Sequence, residues 1–350
     1  MAMGPVPHPQ GATGARSVPA GGVIVIQNTN VRYGGGFPGG DCAGGMLCNT
    51  GGTFSFLDSV ISMCTGGYAI FHPLASSGTT TISGSTAAAS QINGNFYGIV
   101  LFGGTTTVAT STLGSNTHNS IYLATNGYLD VHGNLFSVNT EGAIWVYGDV
   151  SLVHSGNSTQ GTGLGGIVVA GLGTKSQVWQ AESSFPYIVS GLITVPSGKS
   201  LTVNPGTVVK FIVGAALEVN GTLVADSAAS ASKIYFTSIK DDAVGGDTNG
   251  DSSATSPAAG DWGEVKVNSG GSTTLNYAVA RYGGGSADGA ILYNNGGTLT
   301  AYNTEIATGT TYGVYNGAGT TSMMAMNVHN NSYGIYLGTG TTTIGSAPQP

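Results

Sequence analysis

Short runs of alternating polar and apolar residues recur along the chain: "TTTV" at 105–108, "YLDV" at 128–131, "DVSL" at 149–152, "TLTA" at 298–301, "TTSM" at 320–323 and "TTTI" at 341–344. A β-strand turns every second side chain to one face. That parity places Leu129 and Val131 inside with Tyr128 and Asp130 outside, and likewise Thr106 and Val108, and Val150 and Leu152, inside. A glycine precedes each run (Gly104, Gly127, Gly148, Gly297, Gly319, Gly340), and an aliphatic residue stands a few positions before that. Ile99, Ile121, Ile144 and Ile167 are spaced 22, 23 and 23 apart; Ile291, Val314 and Ile335 are spaced 23 and 21 apart. One period of about 22 residues holds three short strands and three turns, and stacking such coils pairs each strand in parallel with its equivalent in the next. Glycine and asparagine serve the corners, where φ is often positive. The expected fold is all-β: a right-handed parallel β-helix solenoid with coils of about 22 residues.

A longer repeat overlies the short one. "NTNVRYGGG" begins at Asn28 and "AVARYGGG" at Ala278, which puts Arg32 and Arg281 in the same pentapeptide. "CNTGGTFSFLDSVIS" from Cys48 resembles "YNNGGTLTAYNTEIA" from Tyr293, and "YAI" at Tyr68 resembles "YGV" at Tyr312. Between the copies, Gly191–Ser238 reads as strands at Leu192–Val195, Leu201–Val203, Val208–Ile212, Leu217–Val219, Leu223–Ala225 and Ile234–Phe236. Pro-Ser-Gly, Asn-Pro-Gly and Asn-Gly turns separate them. Parity turns Lys210 and Glu218 outward and Phe211, Leu217 and Val219 inward.

This stretch, followed by "DDAVGGDTNGDSSATSPAAGDWGEVKV" and "LNYAVARYGGG", resembles the right-handed parallel β-helix repeat modules of large bacterial surface and secreted proteins, of pectin-lyase-like architecture. The resemblance covers Gly191 to about Ser286, and the flanking coils only in style. It implies the fold, an extracellular or cell-surface setting and tandem modules. It does not imply an activity, because that architecture carries lyases, hydrolases, adhesins and plain stalks.

Composition narrows the function classes. Charged residues make up only 7% of the chain while apolar residues reach 40%, which argues against disorder. The net charge of −7 is thinly spread without a basic cluster, so nucleic acid is not an expected partner. No apolar run is long enough to cross a bilayer. Residues 1–20 read as a Pro/Gly-rich leader or linker without the apolar core of a signal peptide. Residues 21–350 read as one continuous β-helix with an acidic loop insertion at 240–261. Cys42, Cys48 and Cys64 fall in one early segment, where a pair such as Cys42–Cys48 bridges in an oxidising compartment or all three are small buried thiols.

Two features carry candidate chemistry. In "DTNGD", Asp247, Asn249 and Asp251 alternate around a glycine, and oxygen donors so spaced converge on a hard cation. With Asp241 and Asp242 they form a candidate Ca²⁺ site. The missing twelfth-position Glu and flanking helices exclude an EF-hand; the alternative is a solvated loop of turn formers. One position after each aliphatic marker stand Phe71, Val100, Tyr122, Trp145, Val168, Leu292, Tyr315 and Tyr336. In a stacked solenoid they align into a row, and Phe71, Tyr122, Trp145, Tyr315 and Tyr336 are its aromatic members. Such a row could stack on sugar rings or meet another molecule, unless a loop covers it.

Thr79/Thr81, Thr105/Thr107 and Thr341/Thr343 suggest an ice-binding face, but Tyr128/Asp130 and Asp149/Ser151 interrupt it. The carboxylates outside the loop (Asp130, Glu141, Asp149, Glu182, Glu218, Glu264, Glu305) are isolated in sequence, and His118, His132 and His154 keep no fixed parity. The chain is therefore expected to be a structural or adhesive protein (stalk, filament subunit or surface-binding module, with carbohydrate as a candidate ligand) and not an enzyme. Its expected partners are other copies or adjoining modules, polysaccharide or a cell surface. A polysaccharide lyase or glycoside hydrolase on the same scaffold is the alternative. The end coils near Val23–Tyr33 and Ile335–Ile344 are expected to meet another copy or an adjoining domain, because open solenoid ends expose unpaired strands.

Overall fold

The computed structural model describes residues 16–32, 44–64, 66–85, 89–161 and 163–345. Within them the chain winds as a right-handed parallel β-helix without helical segments. One sheet of 13 strands runs the whole length, from Arg16–Val18 to Asn327–His329. Two six-stranded sheets complete the N-terminal half, and one eleven-stranded sheet wraps the remaining faces of the C-terminal half. Arg16–Val18, the end of the segment read as a leader, is already part of the wall and pairs with Gly45–Asn49.

The isoleucine column is present. Ile99 pairs with Ile121, Ile121 with Ile144 and Ile144 with Ile167, and all four are 0% exposed. Leu101, Leu123, Val146 and Val169 form the neighbouring buried column. Each such side chain taken from water contributes roughly 1.5–3 kcal/mol, and the solenoid repeats that gain coil after coil. The C-terminal marker is displaced by one residue. Leu292, not Ile291, pairs with Val314, and Val314 pairs with Ile335. Ala290, Ile291 and Leu292 are consecutively buried at the head of one long strand, so the parity of "AIL" cannot be read from hydropathy.

The two copies of the long repeat occupy different faces. Arg32 ends a strand of a six-stranded sheet, whereas Arg281 ends a strand of the 13-stranded sheet. The change happens in a single coil. Val169 pairs with Val189 only 20 residues later, with one strand, Gln177–Trp179, between them instead of two. The six-stranded sheets stop at Ser151–Ser155 and Ser158–Gln160, and the eleven-stranded sheet begins at Gln177–Trp179. From there the sequence pattern is rotated by one face. Among the described residues no helix is long and apolar enough to cross a membrane.

Candidate functional site

The phase change splits the predicted aromatic row in two. Phe71, Val100, Tyr122, Trp145 and Val168 lie in register on the outer face of the 13-stranded sheet. Tyr315 and Tyr336 stand on the eleven-stranded sheet, where Lys266 pairs with Tyr293, Tyr293 with Tyr315 and Tyr315 with Tyr336. Leu292 is not part of the row: it points into the core, and Tyr293 takes the outward place.

The N-terminal row is largely closed. Phe71 and Val100 are buried and pack with Cys48, Tyr68, Tyr97, Phe102 and Tyr122, while Trp145 is half-buried. His118 stacks on Tyr97 at 4.5 Å, and its Nδ1 donates to Glu141 Oε1 at 2.6 Å. Val168 is covered because the acidic loop lies back across its coil, with Gly165 N bonded to Thr248 O at 2.9 Å.

The C-terminal row is open. Tyr333 is 60% and Tyr336 43% exposed, and Tyr293, Tyr312 and Tyr315 are half-buried. Tyr293 and Tyr315 stack at 4.8 Å, Tyr315 and Tyr336 meet edge-on at 5.0 Å, and Tyr312 lies 5.5 Å from Tyr333. Parallel stacking sets these spacings, since equivalent residues of adjacent coils sit about one strand apart. The result is a patch of five aromatic rings, each with a hydroxyl.

A charged group borders the patch. Lys266 Nζ lies 4.9 Å from the Tyr293 ring centre, 3.0 Å from Asp288 and 3.8 Å from Glu264. Glu264 is only 5% exposed, and its Oε2 is buried with no hydrogen-bond partner. Burial, aided by the Asp288 charge, pushes its carboxyl up to about 7.

The acidic insertion is clamped at its base, which accounts for the C-terminal "RYGGG". Arg281 holds Asp241 at the loop entrance through Nη2 at 2.6 Å and Nε at 2.8 Å, and its guanidinium lies 5.4 Å from the Tyr282 ring centre. Its carbonyl accepts a bond from Trp262 Nε1 at the exit (2.8 Å), and Trp262 stacks on Phe211 at 4.3 Å. Lys240 and Asp261 close the neck at 2.7 Å. The glycines follow from close approach. A Cβ on Gly283 would stand 2.9 Å from the Trp262 ring, one on Gly285 would stand 2.4 Å from Gly260 O, and Gly284 has φ +88°. The N-terminal counterpart from Tyr33 onward lies outside the described residues.

Within the loop, carboxylate oxygens of Asp242, Asp247 and Asp251 lie within 4.8 Å of one another. Asp242 Oδ1 and Asn249 Oδ1 are buried without partners. Asp247 and Asp251 also cap loop N–H groups, at 2.8 Å from Gly250 and 3.0 Å from Ala254. Asp241 is apart from this set, engaged by Arg281 and Thr237. Beneath the loop Lys210 has the outward parity expected of it, yet it is 0% exposed. Its Nζ donates to Gly246 O at 2.6 Å, and burial lowers its pKa to about 8 against the pull of Asp241, Asp242 and Asp247.

Sequence reasoning missed Tyr293, Tyr312, Tyr333, Lys266 and Asp288 as site residues, and it set Glu264 aside as isolated. The spacing Tyr293–Tyr315–Tyr336 (22 and 21) and Tyr312–Tyr333 (21) carried the signal for the tyrosines. Glu264 and Asp288 belong to successive coils and meet only through the winding. Comparison with known proteins gives no match to a family model, to a curated sequence or to a solved structure.

Proposed function

We propose that this chain is a rigid β-solenoid module of a secreted or cell-surface protein that binds carbohydrate along the tyrosine patch of its C-terminal sheet. The carrying observation is the row Tyr293, Tyr315 and Tyr336, flanked by Tyr312 and Tyr333, on a face that no other segment of the described chain covers. Flat rings with polar tips suit a ligand that is apolar on its faces and hydroxylated at its rim. Lys266 and Asp288 supply charged hydrogen-bonding groups at one end. Cys48 is disulfide-bonded, which supports an oxidising, extracellular setting, and Cys64 is a buried free thiol; Cys42 lies outside the described residues. The likeness to bacterial surface modules in Gly191–Ser286 supports the same setting. Titration with soluble neutral and acidic oligosaccharides, read by tyrosine fluorescence and repeated with Tyr315→Ala, tests the reading.

The acidic loop fits a Ca²⁺ ion. Asp242, Asp247 and Asp251 are hard oxygen donors, and the orphaned oxygens of Asp242 and Asn249 are further ligands of the same kind. A bound ion would tie the loop across the wall. Other copies or adjoining modules are the further partners of this reading.

A polysaccharide-active enzyme is the second reading, favoured by Glu264, Lys266 and Asp288 beside Tyr293. Glu264, its carboxyl pushed up to about 7, beside Asp288 resembles an acid–base pair. Against it, Glu264 is nearly closed off, while hydrolysis needs both carboxyls at one scissile bond. Release of reducing ends or unsaturated products from polysaccharide would decide for the enzyme.

A further inference from the structure

The phase change leaves an opening in the wall. Ser151–Ser155 is the last strand of its six-stranded sheet and Gln177–Trp179 the first of the eleven-stranded sheet, and the two are not paired with each other. Between them lies a cavity of about 230 Å³ lined by Val150, Leu152, Val153, Val178, Trp179 and Tyr187, among others. Leu152 occupies a core position, in register with Leu129 and Thr106, which are 0% exposed; Leu152 itself is only half-buried.

Backbone parity shows what the opening offers. In a parallel ladder alternate residues direct both N–H and C=O to the same neighbour. Ser151 N bonds to Gly127 O, and Ser155 O accepts from Gly133 N, so Ser151, Val153 and Ser155 serve the preceding coil. Leu152 and His154 therefore turn their backbone groups away from that coil; Leu152 lines the cavity, whereas Glu182 closes over His154, engaging His154 Nδ1 and Asn157 N. On the other side Asn204 N bonds to Trp179 O, so Gln177 and Trp179 serve the following coil and Val178 faces the opening. Among the described residues, two unpaired strand edges thus face one slot of mixed lining, with Ser151, Ser176, Gln177 and Gln180 beside the apolar side chains.

We propose that this seam is a docking slot for an extended polypeptide strand, which would pair with Leu152 on one side and Val178 on the other and place an apolar side chain over Leu152. Free N–H and C=O groups on both edges select a backbone over a small apolar molecule, which would fill the slot and leave them unpaired. The missing strand should resemble its neighbours, with small or aliphatic residues inward and polar ones outward. The carbohydrate reading is independent of this site.

The test uses a capped synthetic peptide of the sequence Asn126–Asn134, which includes the strand already paired with Ser151–Ser155. Amide hydrogen exchange of the full chain is followed with the peptide, with a scrambled version and with a small apolar dye. The expected result is about tenfold slower exchange at Leu152 and Val178 with the peptide alone. Val178→Pro, which removes the edge N–H, should abolish that protection, and Val178→Thr should keep it. Unchanged exchange at millimolar peptide, equal protection by the scrambled sequence, or occupation by the dye alone would overturn the proposal. If Val178→Pro does not fold, exchange in the unmodified chain and in Val178→Thr still decides it.

Discussion

Asn49 and Asn294, 245 positions apart, make the same bonds at corners on different faces of the solenoid. Asn49 Nδ2 donates to Gly52 O (3.2 Å), Thr79 O (3.0 Å) and Thr80 Oγ1 (3.2 Å); Asn294 Nδ2 donates to Gly297 O (3.2 Å), Thr320 O (3.0 Å) and Thr321 Oγ1 (3.0 Å). Each side-chain oxygen accepts from the glycine three residues on. Asn316 repeats the reach into the next coil, to Thr341 O and Thr342 Oγ1. The long repeat is thus a repeated corner, in which one buried amide stitches two coils together.

Replacing either asparagine by alanine leaves buried backbone groups unpaired and should cost about 1–3 kcal/mol. Asn49→Ala and Asn294→Ala should lower the thermal midpoint by similar amounts. A substitution that leaves the midpoint unchanged would mean that water replaces the amide.

The fold was legible because coil period and strand parity are written in residues that stack on their own kind. The Ile99–Ile167 column and the strands of Gly191–Ser238 follow from spacing alone. The phase change at Gly163–Ser190 was not legible, because a missing strand leaves no residue to read, and it carried Tyr315 and Tyr336 to a different face from Phe71 and Tyr122. Lys210 shows the same limit: parity gave its outward direction, but only the returning loop buries it. The asparagine ladders were visible in principle. Asn95, Asn116 and Asn139 are spaced 21 and 23 apart; Asn95 donates to Asn116 Oδ1 and Asn116 to Asn139 Oδ1.

The isoleucine column admits no charge. Ile144→Asp would bury an unpaired carboxylate between Ile121 and Ile167 and should cost several kcal/mol, or prevent folding at neutral pH. Circular dichroism during heating checks this, with Ile144→Val as the mild control.

Glu264 makes stability depend on pH in a definite direction. Its carboxyl lies near 7 in the folded chain against an ordinary value of 4.5, so between these limits the folded state holds the proton more tightly. Its contribution is therefore full below pH 4.5 and is lost as pH rises to about 7, a change of roughly 3 kcal/mol. Glu264→Gln should raise the thermal midpoint at pH 8 and hardly alter it at pH 4. Equal effects at both pH values would contradict the assignment.

Lys210 acts in the alkaline range. Its pKa falls from 10.5 to about 8, so the unfolded chain holds the proton more tightly between those values, and stability should rise as pH goes from 8 to 10.5. Lys210→Met should remove that rise. An unaltered alkaline limb would show that the ammonium is well solvated.

Calcium at millimolar concentration should raise the thermal midpoint, because an ion that binds only the folded loop stabilises it by mass action. Asp242→Asn should abolish the rise while leaving the chelator-treated protein unchanged. No calcium response in the parent chain would leave the loop carboxylates as caps for its own N–H groups.

The tyrosine patch is the central claim, and oligosaccharide binding measured by calorimetry tests it most directly. Tyr315→Ala and Tyr336→Ala should each weaken binding by about tenfold, on the order of 1.4 kcal/mol, while Tyr122→Ala on the other sheet changes nothing. Binding that survives both substitutions, or that is lost with Tyr122→Ala instead, would contradict it.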